Sequence, residues 1–209
     1  MRTTVLMIGF LFFAFLGGGV KSHAGLILNL YDNFTTVEYT LSGNLGGTVL
    51  GTATPTAVTP PASGSVNASA GELLILGSSA SYQVHTVTVH GAVATFGTGS
   101  LQATTGTSAG DLFGFFVTGT TGGVTSAEIW LPNGYQGGNV LSATGEWNGS
   151  LASLGLTTGT YVTDIKTGPG FPVATDSITL NISQAPEPSG FIVLGLSALV
   201  MFKRRKRKS

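Results

Sequence analysis

Cysteine is absent from all 209 residues, which excludes a disulfide framework and any thiolate-bound metal. Charge is scarce as well, with nine Lys and Arg against nine Asp and Glu. The formal balance of zero conceals a segregation. Arg2, Lys21 and the run Lys203-Arg204-Arg205-Lys206-Arg207-Lys208 hold every cation but one, so Lys166 is the only basic residue between positions 25 and 184. Asp32, Glu38, Glu72, Asp111, Glu128, Glu146, Asp164 and Asp176 are spread singly through that interior and make it acidic. Such a surface repels phosphate backbones, which excludes nucleic acid as a partner. Helical periodicity is missing too, and the interior is about one domain's worth of chain.

Glycine, serine and threonine fill this interior, and its apolar residues alternate with polar ones. In Asp176 to Ile182, Ile178, Leu180 and Ile182 face one way while Ser177, Thr179 and Asn181 face the other. Tyr82 to Val89 is rich in β-branched residues, and further strands are expected over Leu26 to Tyr31, Val37 to Leu41, Glu72 to Leu76, Leu112 to Thr118, Val124 to Leu131 and Thr160 to Ile165. Gly46-Gly47, Gly122-Gly123, Asn133-Gly134, Gly137-Gly138 and Asn148-Gly149 supply the positive φ of tight turns between them. The stretch from Thr52 to Ser69, with Pro55, Pro60 and Pro61, reads as a long surface loop. Together these features predict an all-β fold, an antiparallel β-sandwich or jelly roll over residues 25–184.

The two ends have a different chemistry. Arg2 precedes an apolar stretch from Val5 to Val20, and Ser22 and Ala24 place small residues at the two positions a signal peptidase reads. Residues 1–24 therefore read as a helical signal peptide that leaves Gly25 at the mature terminus; the alternative is an uncleaved N-terminal anchor. At the other end, Pro186-Glu187-Pro188 is followed by an uncharged run from Ser189 to Phe202 and then by the six cations 203–208. The two prolines fix φ and remove donors, so Glu187 sits in an extended, readable segment. A helix over about 189–202 is roughly 21 Å long against roughly 30 Å of hydrocarbon, short for a permanent anchor but workable for a tilted or locally thinned bilayer. The cations place the C-terminus in the cytoplasm and the domain outside. A buried C-terminal core helix is the alternative, and a basic hexamer abutting it argues against that.

The motif, the apolar run and the basic end of residues 185–209 resemble the PEP-CTERM sorting signal of Gram-negative, exopolysaccharide-producing bacteria. Three inner phrases, Leu131-Pro132-Asn133-Gly134-Tyr135, Leu154 to Tyr161 and Asp176-Ser177-Ile178-Thr179-Leu180, are similar to segments found before that signal in one group of small members, which usually carry Pro where this chain has Thr158. The resemblance implies that an exosortase recognises Pro186, Glu187 and Pro188 and removes the helix in transit. It further implies signal peptidase and exosortase as export partners and a single, transient membrane span. The destination it implies is the cell surface or extracellular matrix.

No constellation in the interior selects a reaction, and no catalytic residue, cofactor or metal site is expected. His85 and His90 are five apart, so in one strand they face opposite ways and cannot clasp one metal. Asp111 or Glu128 could approach either, but there is no Gly-x-Ser-x-Gly elbow or His-Glu-x-x-His pair. Lone carboxylates near turns, Asp32 and Asp111, lack the Asp-x-Asp-x-Asp spacing of a calcium loop. Trp130 and Trp147, with Tyr135 and Tyr161, gather in the last third of the chain. They are the candidate residues for binding an exopolysaccharide, against the plainer reading of sandwich core. Trp130 shares its strand phase with Glu128, which predicts a half-exposed ring.

Overall fold

Alternation of apolar and polar residues dictates strands wherever one face is covered, and the computed structural model follows that pattern over the residues it describes: 24–46, 50, 54–58, 61–78, 81–166 and 176–184. The strands are β1 Ala24–Asp32, β2 Thr36–Gly43, β3 Thr54–Val58, β4 Gly64–Asn67, β5 Glu72–Ile75, β6 Tyr82–His90, β7 Gln102–Thr104, β8 Ser108–Gly110, β9 Phe113–Thr121, β10 Val124–Pro132, β11 Leu141–Asn148, β12 Gly159–Lys166 and β13 Asp176–Gln184. Among the described residues there is no helix, and so none long and apolar enough to cross a membrane. The expected signal-peptide helix, Ser22, the motif Pro186 to Pro188, the span 189–202 and the basic tail 203–208 lie outside the described residues.

All thirteen strands join one mixed sheet, in the order β7-β4-β5-β9-β10-β6-β12-β13-β1-β2-β11-β8, with β3 pairing β6 off this path. The expectation of a purely antiparallel arrangement is corrected at one seam, where β1 and β13 run parallel with Ala24 opposite Asp176 and Asp32 opposite Gln184. These strands are far apart in sequence, so no hairpin fixes their relative direction. The predicted long loop is also corrected. It contains β3 and β4, with Val66 and Ala68 fully buried, because Gly64 to Asn67 pairs both β5 and β7.

The two ends of the path, β7 and β8, are consecutive in the chain. Only residues 105–107 separate them, which limits the gap to roughly 14 Å. Thr105 and Thr107 already accept bonds from Asn148 and Glu146 of β11, at 2.7 and 2.9 Å. The sheet therefore curls back until its first edge meets its last. Gly106 makes that crossing, and a Cβ there would run into the Glu146 carbonyl. At the β9–β10 hairpin, Gly122 and Gly123 take φ of 59° and 78°, positive at both central positions as a type I′ turn requires.

One face of the curled sheet is the core. Leu26, Leu28 and Leu30 of β1, Val37, Tyr39 and Leu41 of β2, Ile178, Leu180 and Ile182 of β13, and Ala127, Ile129 and Leu131 of β10 all pack into one cluster. Each fully buried Leu or Ile contributes about 1.5–3 kcal/mol. Two carboxylates are buried at the ends of this sheet and are held by backbone donors. Asp176 accepts from Gly46 N at 2.6 Å; Asp32 accepts from Phe34 N at 2.8 Å and Leu151 N at 3.4 Å.

Candidate functional site

The strand phase that builds the core also sorts the candidate residues between faces. His85 shares the inner face of β6 with Gln83, Val87 and Val89 and is 4% exposed, while His90 falls on the other face. The Gln83 amide nitrogen lies 2.9 Å from His85 Nε2, so this imidazole is a core residue with a polar partner. Asp111 instead accepts from Ser142 N at 2.8 Å, which ties β11 to the segment before β9. Among the described residues, no three His, Asp or Glu side chains converge as a metal cage would require.

The four aromatics read as a sugar-binding candidate do not share a surface. Trp147 is 3% exposed on the inner face of β11, its ring 5.3 Å from that of Tyr39. Trp130 lies on the outer face of β10, half-buried as its phase predicts. Its ring is stacked on Tyr82 at 4.5 Å from one neighbouring strand and tilted against Phe116 at 4.7 Å from the other, and its Nε1 donates to Glu128 at 3.2 Å. Gly114 lies directly opposite, where a Cβ would crowd Phe116, Leu74 and Trp130 itself. Trp130 thus holds together a small second cluster on the outer face, with Leu74, Tyr82 and Leu112. The hydroxyl of Tyr135 donates to the Asn139 carbonyl at 2.9 Å and accepts from Leu45 N at 3.0 Å, and that of Tyr161 donates to the Thr157 carbonyl at 3.0 Å. Both pin loops.

Desolvation raises the phenol pKa of three tyrosines, the buried Tyr39 and Tyr82 and the half-buried Tyr135. For Tyr39, burial raises it and a hydrogen bond with Ser108 partly offsets this. For Tyr82, burial is reinforced by the negative charge of Glu128. For Tyr135, burial and the charges of Asp176 and Asp111 outweigh a bond with the Leu45 backbone.

A surface that no motif announces lies on the outer face of β12, β13, β1, β2 and β11. Register places Thr160, Asn181, Asn29, Thr40 and Thr144 in one row across these strands. Their side chains form a directed ladder. Thr160 Oγ1 donates to Asn181 Oδ1 at 2.9 Å, Asn181 Nδ2 to Asn29 Oδ1 at 3.0 Å, and Asn29 Nδ2 to Thr40 Oγ1 at 3.2 Å. In the next row Tyr31, 43% exposed, neighbours Glu38, and Glu38 faces Glu146 directly across the strands. Tyr31, Glu38, Thr40, Thr107, Thr144 and Glu146 rim an open depression of about 330 Å³. A carboxylate pair beside an exposed phenol can accept from the hydroxyls of a sugar while the ring stacks on its apolar face.

Beneath the same strands, a cavity of about 20 Å³ is lined by Tyr39, Thr104, Ser108 and Trp147 among others, and the buried hydroxyl of Thr104 has no protein partner. It is large enough for one water molecule and too small for a sugar ring. Neither histidine lines either space. Alternation in β1 and β2 does place Tyr31 and Glu38 outward, so that signal was available in the sequence. The apposition of Glu38 with Glu146 depends on strand register, which no local pattern encodes. Comparison with protein-family models finds no match, and comparisons with curated proteins and with solved structures find none either.

Proposed function

We propose that the chain is an exported, non-enzymatic protein of the cell surface or extracellular matrix, sorted by Pro186-Glu187-Pro188 and processed by an exosortase. The curled sheet is a β-sandwich or jelly-roll ectodomain in this reading, since a strand that leaves one edge and joins the other is how two packed layers are closed. The observation that carries the reading is how close the last strand runs to the motif. β13 spans Asp176–Gln184, and Gln184 is two positions before Pro186 in the sequence. Pro186 and Pro188 lack the backbone donors that a ladder needs, so the motif itself is a poor strand former for a peptidase to read.

The opposite holds at the N-terminal processing site. Ala24 and Gly25 are opposite Asp176 and Ser177 in the β1–β13 ladder, so the Ala24–Gly25 bond has to be cut before β13 pairs with β1. Export from the N-terminus supplies that order. Mature protein from the native host is expected to begin at Gly25 and to lack the mass of the segment after the motif, whereas a strain without exosortase retains it. Retention in both strains refutes the sorting reading.

A second reading, a carbohydrate-binding module for extracellular polysaccharide, is favoured by the depression at Tyr31, Glu38 and Glu146 and not by the two tryptophans. Retention on a neutral polysaccharide column that is lost in Tyr31→Ala supports it. Absence of binding across a glycan array removes it.

A further inference from the structure

We propose that, in the membrane-held precursor, the end of the sheet formed by the β1–β2 turn is a lipid-contact surface, with Phe34 and Leu101 seated among the headgroups of the bilayer that holds residues 189–202. This rests on the membrane reading of the tail.

The parallel seam supplies the geometry. Because Asp32 is opposite Gln184, the chain leaves the sheet beside the β1–β2 turn. Only residues 185–188 then precede the apolar run, and even fully extended they let its start lie no more than roughly 18 Å from Gln184. The polar layer on each side of the hydrocarbon is only several ångströms deep, so the tether keeps this end of the domain within roughly 10 Å of the membrane surface, close enough to touch it.

What the turn displays there is apolar. Phe34 is 54% exposed and takes φ of 65°, a left-handed conformation uncommon for a bulky residue. It is held by Asp32 Oδ1, which accepts from Phe34 N at 2.8 Å, and by the bond from Asn33 N to the Thr36 carbonyl at 2.8 Å. The segment 149–155 connects this turn to Leu101. Gly149 N donates to the Thr35 carbonyl at 2.9 Å, and Gly99 N to the Gly155 carbonyl at 3.2 Å, two residues before Leu101, which is 63% exposed.

Charge is distributed to match. The loops of this end, residues 97–107 and 148–159, contain no Asp, Glu, Lys or Arg, and Asp32 is buried; the carboxylates nearest the turn are Glu38, which accepts from Asn33 Nδ2 at 3.5 Å, and Glu146 opposite it, both set back on the strands. Toward the opposite end lie Asp164, Lys166 and Asp176, where Val140 is an exposed apolar side chain. Two side chains provide too little apolar area to hold a soluble domain on lipid, so the contact depends on the tether and its high local concentration. The released domain leaves the bilayer.

Because the chain has no cysteine, single labels test this directly. Full-length precursor carrying Phe34→Cys, Leu101→Cys or Val140→Cys is labelled with an environment-sensitive dye and reconstituted into phosphatidylcholine vesicles containing a lipid-borne quencher. The expected result is a blue shift and loss of most emission at 34 and 101, with neither at 140. Vesicle flotation of the same samples tests the tail separately. Protein that floats without any difference between positions overturns the lipid contact and leaves the tail reading standing, while protein that does not float overturns both. A blue shift at 34 or 101 that the lipid quencher does not touch overturns the proposal in favour of self-association. Position 101 keeps the test decisive should Phe34→Cys perturb its turn.

Discussion

Trp147 and Trp130 each sit in a long strand and each pack on a tyrosine, yet they do different things. Trp147 and Tyr39 lie inside the curl, where every neighbouring strand contributes apolar side chains to one continuous core. Trp130 and Tyr82 lie on the outside of the same sheet, where four strands contribute a handful of large residues. The difference teaches that ring chemistry does not decide between core and surface in this protein. Strand phase and the curl of the sheet do.

Replacing each ring tests the contrast most severely. Trp147→Ala should destabilise by about 3–5 kcal/mol, since a filled interior site becomes a cavity. Trp130→Ala should lose about 1–3 kcal/mol, because part of its ring is already wet. Urea midpoints with unchanged slopes check both, and equal losses would erase the distinction.

Alkaline pH probes the two tyrosine partners. A phenol whose folded pKa is raised contributes stability that is intact below the unfolded value, about 10, and lost as pH climbs through the folded value. Urea stability should therefore hold up to about pH 10 and fall above it. Tyr39→Phe and Tyr82→Phe should each remove part of that fall. Glu128→Gln should shrink only the Tyr82 part, because that charge is one cause of its raised pKa and removing it brings the folded value closer to the unfolded one. A fall that ignores all three substitutions contradicts the assignment.

The smallest effect concerns the outer depression. Like charges directly opposite in a sheet repel, so Glu146→Gln should gain about 0.2–1 kcal/mol of stability at low salt. Because exposed charges are screened, the gain should shrink as ionic strength rises. A loss of stability instead would mean that Glu146 is held by a favourable contact.

Most strands were legible because long alternating segments with β-branched residues leave few other solutions, as in Val124 to Leu131 and Asp176 to Ile182. β11 was not, since Leu141-Ser-Ala-Thr-Gly-Glu-Trp-Asn148 carries small residues at Ala143 and Gly145, where larger ones would have marked the inner face. Gly145 is small because Tyr39 and the Thr107 carbonyl occupy the space where its Cβ would be. β7 and β8 are three residues each and gain their identity only from the partners they bridge. Of the sites, His85, His90 and Trp130 were placed correctly by phase. The row Tyr31, Glu38 and Glu146 escaped because it is assembled from strands far apart in the chain.

The sequence by itself determined a cysteine-free, acidic, strand-built interior between two apolar ends, because composition and period two are local properties that any conformation must respect. Tertiary structure alone decided that β1 lies parallel to β13, that β7 and β8 close the sheet and that two glutamates confront each other across it. Register and edge-to-edge closure are chosen by the burial of many side chains at once, so no single segment carries them.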